Sequence, residues 1–268
     1  NMFSKKIKIE LEKKDDIFHL EPLGDIHVGH SGFDSDLYKK RIKAISKDKN
    51  RYTIFMGDQL DAISVYDKRF NPDMSLEHDI DNQRKEWQKL TQTLVDAHLA
   101  SKKNEKIWGL LHGNHEYKIR EITRSYIENH FCEPNGISFL GAKCYIALEV
   151  TYKRKILAQW EIMAMHGSGG GRPERMFQQM KVDNYMDVFM CGHLHQKRYI
   201  PGEAYQMVFR SGKVWRRPTH AINTGTFCEF LVEGTSGYGD QKNEVSGTPI
   251  GTATLSFNAE QEKIGGHI

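Results

Sequence analysis

Five times along this chain a short apolar run ends on residues able to hold a metal or move a proton. Ile17-Phe18-His19-Leu20 leads into Gly24-Asp25-Ile26-His27, and Thr53-Ile54-Phe55-Met56 stops at Gly57-Asp58-Gln59-Leu60-Asp61. Lys106 to Leu111 delivers Gly113-Asn114-His115-Glu116, Lys155 to Met165 ends at His166-Gly167, and Asp187 to Cys191 delivers Gly192-His193-Leu194-His195. Runs of four or so apolar or β-branched residues suit strands covered on both faces, so the pattern asks for an α/β chain with buried sheet. Such sheets bind ligands at the carboxyl ends of their strands, where these residues fall. A glycine at Gly57 lets the chain turn sharply and approach a ligand closely.

The connecting segments fit that scheme. Ile7, Ile9 and Leu11 alternate with polar residues, the period of a half-buried strand. Tyr38, Ile42 and Ile45 fall on one helical face, with Asp34 or Asp36 as N-cap, so the first two runs form a β-α-β unit. A polar stretch at Asn71-Pro72-Asp73 precedes a long helix carrying Trp87, Leu90 and Leu94. Another helix is expected from Tyr117 to Phe131, and Lys143 to Val150 with Lys155 to Met165 reads as an antiparallel hairpin. Pro173 suits the first turn of a following helix. The remainder, through Asn223-Thr224-Gly225 and the Gly-rich tail from Gly234, reads as strands and loops completing a second sheet.

At 268 residues, 38% hydrophobic and 27% charged, the expectation is a single domain over 1–268, with its motifs in 17–228 and a C-terminal extension at 229–268. No apolar run approaches the ~18 residues of a membrane span. Asn1 to Lys6 lack the apolar stretch of a secretory signal, so the expected location is the cytoplasm. Cys132, Cys144, Cys191 and Cys228 show no C-x-x-C spacing and are expected as reduced thiols. A net charge of +3 is too small to argue for nucleic acid. Lys153-Arg154-Lys155, Lys197-Arg198 and Arg216-Arg217 either line a groove for a phosphate-bearing substrate or are solvated loop residues.

Carboxylates, a carboxamide oxygen and neutral imidazoles are ligands for Mn, Fe, Zn, Co or Ni, and the lack of cysteine at the strand ends argues against a closed structural zinc site. In His193-Leu194-His195 an extended backbone would send the two imidazoles to opposite sides, toward different metals.

The ordered set Asp25-x-His27, Gly57-Asp58-x-x-Asp61, Gly113-Asn114-His115-Glu116, a lone His166-Gly167 and Gly192-His193-x-His195 resembles the calcineurin-like metallophosphoesterase superfamily, over roughly Ile17 to Asn223. The resemblance implies a four-layered α/β/β/α sandwich of two mixed β-sheets flanked by helices. It also implies a phosphoester hydrolase with two divalent metal ions, Mn serving in vitro, that acidify a bridging water for in-line attack on phosphorus. By motif, Asp25, His27, Asp58 and His195 would hold one metal and Asp58, Asn114, His166 and His193 the other, with Asp58 as the bridge. His115 would donate a hydrogen bond or proton toward the phosphoryl or leaving-group oxygen, oriented by Glu116 or Asp61. Glu116 reads equally well as the acid of a helix first turn. His30 and His112 flank the motifs without an assigned role.

The protein-phosphatase branch carries Gly-Asp-x-Val-Asp-Arg-Gly where this chain has Ala62-Ile63 after Asp61. Losing that arginine favours phosphodiesters over dianionic monoesters, unless Arg120 or Arg172 substitutes. The repair-nuclease branch has a similar second motif, so nucleic acid or a nucleotide is a candidate phosphoester substrate, and no membrane partner is expected. The alternatives are a phosphomonoesterase acting on nucleotides or phosphoproteins, and a non-catalytic scaffold of the same fold. The Gly167 to Gly171 run lacks the lysine of a P-loop and reads as a tight turn after His166.

Overall fold

The alternation at Ile7, Ile9 and Leu11 builds β1 (Phe3–Leu11), with those three side chains buried. The structure, a computed structural model, describes residues 3–63, 65, 67, 70–71, 74–124, 126–182, 184–208, 212–229 and 249–268. Pro72 and Asp73 of the polar stretch, and the glycine-rich tail from Gly234 to residue 248, lie outside them. After β1 come β2 (Ile17–Leu23), α1 (Ser35–Lys47) and β3 (Arg51–Phe55), and β2 and β3 pair in parallel. Asp34 caps α1 by accepting the backbone N–H groups of Asp36 and Leu37, and Tyr38, Ile42 and Ile45 are buried as their spacing requires.

α2 (Ile80–Ala100) buries Trp87, Leu90 and Leu94, and β4 (Ile107–Leu110) extends the parallel run beside β3. The helix expected over Tyr117 to Phe131 is instead two pieces. α3 (Asn114–Thr123) starts earlier, on the ligand motif itself, and stops at Arg124, whose φ of 56° is left-handed. The chain resumes as a π-helical turn (Glu128–Cys132) followed by a 3-10 turn (Glu133–Asn135), which drops Phe131 into the core against Phe55 and Trp87. A left-handed residue cannot continue an α-helix, and an arginine there gives no warning of the break.

β5 (Lys143–Tyr152) and β6 (Lys155–Met165) form the antiparallel hairpin, and α4 (Pro173–Val182) opens on Pro173. β7 (Val188–Cys191), β8 (Lys197–Val208), β9 (Lys213–Thr226), β10 (Gly251–Thr252), β11 (Thr254–Asn258) and β12 (Lys263–His267) follow.

Two mixed sheets result. One runs β1-β5-β6-β7-β9-β10, with β8 paired to β9, and the other runs β12-β11-β2-β3-β4. The C-terminal strands therefore divide between the sheets: β8 to β10 join the first, while β11 pairs antiparallel with β2 in the second. Strand periodicity specifies a buried face but not a partner, so this division was not readable.

Three apolar cores explain the assembly. Ile7, Leu148 and Ile162 of the first sheet meet Phe18, Ile54 and Leu255 of the second. α1 and α2 cover the other face of the second sheet, with Ile42 and Trp87 against Leu23 and Phe55. α4 covers the other face of the first, with Met176, Phe177 and Met180 against Met163 and Phe189. Each such side chain, fully buried, contributes ~1.5–3 kcal/mol. The carboxyl ends of β2, β3, β6 and β7 are held together as a consequence. The four cysteines are free and buried, and no helix among the described residues is long and apolar enough to cross a membrane.

Candidate metal centre

The backbone is most strained where the strands end. Asp25, His27, Asp58, His193 and His195 have φ of 51°, 53°, 52°, 70° and 54°, so five of the seven expected ligands are left-handed residues that are not glycine. Each such residue costs on the order of 1–3 kcal/mol and persists only where its surroundings dictate it. Every turn aims a polar side chain inward. His193 and His195 do reach different clusters, but through left-handed turns at both positions and not through the extended backbone expected.

Asp25, His27 and His195 form the first cluster. The Nε2 atoms of His27 and His195 are 3.0 Å apart, and His195 Nε2 is 3.3 Å from Asp25 Oδ1. Asp58, His166 and His193 form the second. His166 donates Nδ1–H to the Met56 carbonyl at 2.9 Å, which points Nε2 at Asp58 Oδ2 and at Asn114 Oδ1, each 3.1 Å away. An imidazole pinned through one nitrogen to a carbonyl presents the other in a fixed direction. The clusters are joined by Asp25, whose two oxygens accept the His193 backbone N–H at 3.0 and 2.8 Å.

These separations fit a pair of cations. Ligand bonds of ~2.1 Å place neighbouring donor atoms ~3.0–3.4 Å apart around one ion, for octahedral or tetrahedral coordination. Carboxylate, carboxamide and imidazole donors meet at that spacing, on carboxylates that are 0% exposed at Asp25 and 1% at Asp58.

The electrostatics differ between the imidazoles. Burial, and then the charges of His115 and His195, hold His27 well below the usual imidazole range. Burial and the neighbouring His166 lower His193. Both therefore offer lone pairs at neutral pH. Burial works against the charged form of His166, but the Asp58 carboxylate outweighs it and raises this imidazole to about 10. Burial would raise Asp58, yet the imidazoles of His166 and His115 hold it well below the carboxylate range.

His115 sits at the seam. Its Nδ1 donates to the Asp61 main-chain carbonyl, its Nε2 lies 3.9 Å from Asp58 Oδ2, and its ring stands edge-on to His27 at 4.7 Å. The backbone carbonyl of Asp61 thus orients His115, and the Asp61 carboxylate lies 3.9 Å from His27 Nδ1. Glu116 does not turn toward His115. Its Oε2 accepts the backbone N–H of Asp58 at 3.0 Å and of Gly113 at 2.8 Å, while Oε1 accepts that of Leu60 at 3.0 Å. Burial and the Asp58 charge raise the Glu116 carboxyl to about 7.

Two glycines make the close approach possible. A Cβ on Gly113 would lie 1.9 Å from Asp58 Oδ1, and one on Gly57, whose φ is +99°, would lie 2.5 Å from His166 Nδ1. Other supports were not foreseen. Gln83 of α2 holds the Ala62 N–H at 2.9 Å, and the Thr226 hydroxyl donates to the Asp25 carbonyl at 2.7 Å. The polar run at the end of β9 was the one signal for the second, while a glutamine on a helix gives none. His30 takes the Gly32 N–H at 2.9 Å and meets Cys228 Sγ at 3.0 Å, and His112 stacks on Tyr117. Arg172 lies in the exposed turn after His166, and Arg120 covers the Tyr126 ring at 4.6 Å. No family model matches the chain, and no curated protein matches it.

Proposed function

We propose that this chain is a dinuclear metal-dependent phosphoester hydrolase of the calcineurin-like metallophosphoesterase type, acting on phosphodiesters. The observation that carries the reading is the adjacency of two donor clusters, Asp25-His27-His195 and Asp58-His166-His193, linked by a third group, His27-Asp58-His115, with five of the candidate ligands held by left-handed turns. The two sheets packed face to face, with α1 and α2 outside one and α4 outside the other, support the four-layered α/β/β/α arrangement implied by the motifs.

Asp25, His27 and His195 would hold one divalent cation and Asn114, His166 and His193 the other, with Asp58 shared. Bound there, Mn, Fe, Zn, Co or Ni ions would supply Lewis acidity for phosphoryl oxygens and a water acidified toward neutral pH. The residues of the chain do the rest. Main-chain anchoring of Nδ1 turns the His115 Nε2 edge toward Asp58, where it would donate a hydrogen bond or proton to the leaving-group oxygen. Glu116 fixes the Asp58 turn, so the shared carboxylate does not swing during the reaction. The second motif runs on to Ala62-Ile63 without an arginine, which supports a diester, with its single charge, over a dianionic monoester.

The test is hydrolysis of bis(p-nitrophenyl) phosphate by protein loaded with manganese. Turnover abolished by a chelator and by His193→Ala is expected. If loaded protein turns over neither this diester nor p-nitrophenyl phosphate, the reading is wrong.

A further inference from the structure

The ribbon formed by β8 and β9 outruns the sheet it belongs to. β9 pairs with β7 only from His220 to Asn223, whereas its pairing with β8 continues to Val208 opposite Lys213. Residues 213–219 therefore project past β7, by ~24 Å at ~3.4 Å per residue. The far half of this ribbon buries little. Tyr205, Met207, Val214 and Trp215 are 61%, 68%, 57% and 66% exposed. Met207 lies opposite Val214 and Tyr205 opposite Arg216, so these four share one face, while Trp215, one residue on from Val214, stands on the other. An aromatic ring is thus offered on each face, and four exposed large side chains fall within 11 positions of one ribbon.

The ribbon is also where the positive charge lies. Lys197, Arg198, Arg210, Lys213, Arg216 and Arg217 stand against Glu203 alone between positions 197 and 217, a net +5. The whole chain carries +3, so the remainder carries 3 − 5 = −2. Arg210 lies outside the described residues, and Arg217 is committed to the body through Asp187 and Glu161. Arg216 meets Glu203 in an exposed ion pair, which opens at little cost. Finally, β8 begins two residues after His195, with Lys197 opposite Thr224, so the ribbon runs without interruption from beside the candidate metal centre to Val208 opposite Lys213.

We infer that this ribbon is a binding arm for single-stranded nucleic acid and lays a strand along a path that ends at the metal centre. The last part rests on the hydrolase reading; the binding does not. Cations interleaved with exposed rings on both faces match a polyanion whose bases stack on any aromatic surface. The 12 residues of β8 span ~40 Å, the length of about a dozen phosphates at ~3.4 Å each.

The test is fluorescence anisotropy with labelled oligothymidylate of about 20 nucleotides and a duplex of the same length, using the full chain as purified and again with EDTA. Oligothymidylate is expected to bind, and to do so more tightly than the duplex. Its log affinity should fall with log salt at a slope of about −2, for contacts from Arg198, Lys213 and Arg216. Tyr205→Ala with Trp215→Ala should weaken binding about tenfold or more at an unchanged slope. Lys213→Ser with Arg216→Ser should flatten the slope by about 1.4. Circular dichroism verifies that both double variants fold, and all four positions are exposed.

No binding in either buffer, binding by both double variants that matches the parent's in affinity and slope, or a preference for the duplex overturns the inference. So does a concentration-dependent dimer, broken by Trp215→Ala, in a protein that ignores the oligonucleotide, since the arm then serves a second copy of the chain. Because binding is read without turnover, failure to hydrolyse the chromogenic diester leaves it standing, and hydrolysis without binding condemns the arm alone.

Discussion

Glu116 holds Asp58 by the main chain: the Glu116 carboxylate accepts the Asp58 backbone N–H at 3.0 Å, and the same side chain takes the N–H groups of Leu60 and Gly113. A carboxamide at this position would face three donors with one acceptor oxygen. Glu116→Gln should therefore lower stability by about 1–3 kcal/mol, the cost of stranding a buried donor, and weaken metal retention. Urea unfolding and metal analysis after gel filtration measure both. Unchanged stability and metal content would mean that the clamp is incidental.

The proposed bridging role of Asp58 makes its substitution different from that of any other candidate ligand. Asp58→Asn should lose both cations together, whereas His193→Ala should lose the one beside His166 and His195→Ala the one beside Asp25. Metal-to-protein ratios by elemental analysis distinguish these patterns. Retention of two metals by Asp58→Asn would refute the bridge.

In the chelator-treated protein a proton competes for the second cluster. His166 is raised to about 10 by Asp58, above an ordinary value of 6.5. The folded chain then binds more protons than the unfolded one between those values. The stability contributed by this pair is full below pH 6.5 and is lost as pH rises through about 10. A cation must displace that proton, so metal affinity should climb by up to about tenfold per pH unit through the neutral range. Calorimetric titration in buffers of different ionisation enthalpy would count the released proton. Affinity independent of pH would rule the competition out.

Gly57→Ala tests the turn itself. The position has φ of +99°, and an added Cβ would lie 2.7 Å from the Gly113 nitrogen as well as against His166. The backbone must shift, so a loss of more than about 2 kcal/mol is expected, together with weaker metal binding at the His166 side. Thermal unfolding that matches the parent protein would show that the turn has slack.

How legible was this in the chain? The positions of the candidate ligands at strand ends were readable because each follows an apolar run, and a run of buried residues such as Thr53 to Phe55 announces both a strand and its end. The capped amphipathic helix at Asp34 was readable for the same local reason. What escaped was set by distant partners. That Glu116 serves the Asp58 backbone depends on β3 and β4 lying side by side, and that Asp61 turns its carboxylate to His27 depends on a contact across 34 positions. The left-handed conformations of His27 and His195 run against their intrinsic preference and are imposed by the packed sheets. Arg124 likewise breaks a helix with no local cue.

The pairing of β11 with β2 sets a schedule for synthesis. Ile17 to Leu20 lie beside Leu255 to Asn258, so the strand that leads to Asp25 waits for a neighbour made 235 or more residues later. At ~5–20 residues per second the wait lasts roughly 10–50 seconds, with one edge of that strand bare throughout. Synthesis therefore leaves that edge of β2 unpaired until β11 has been made. A chaperone able to shield a naked β-edge is what the nascent chain needs over that interval.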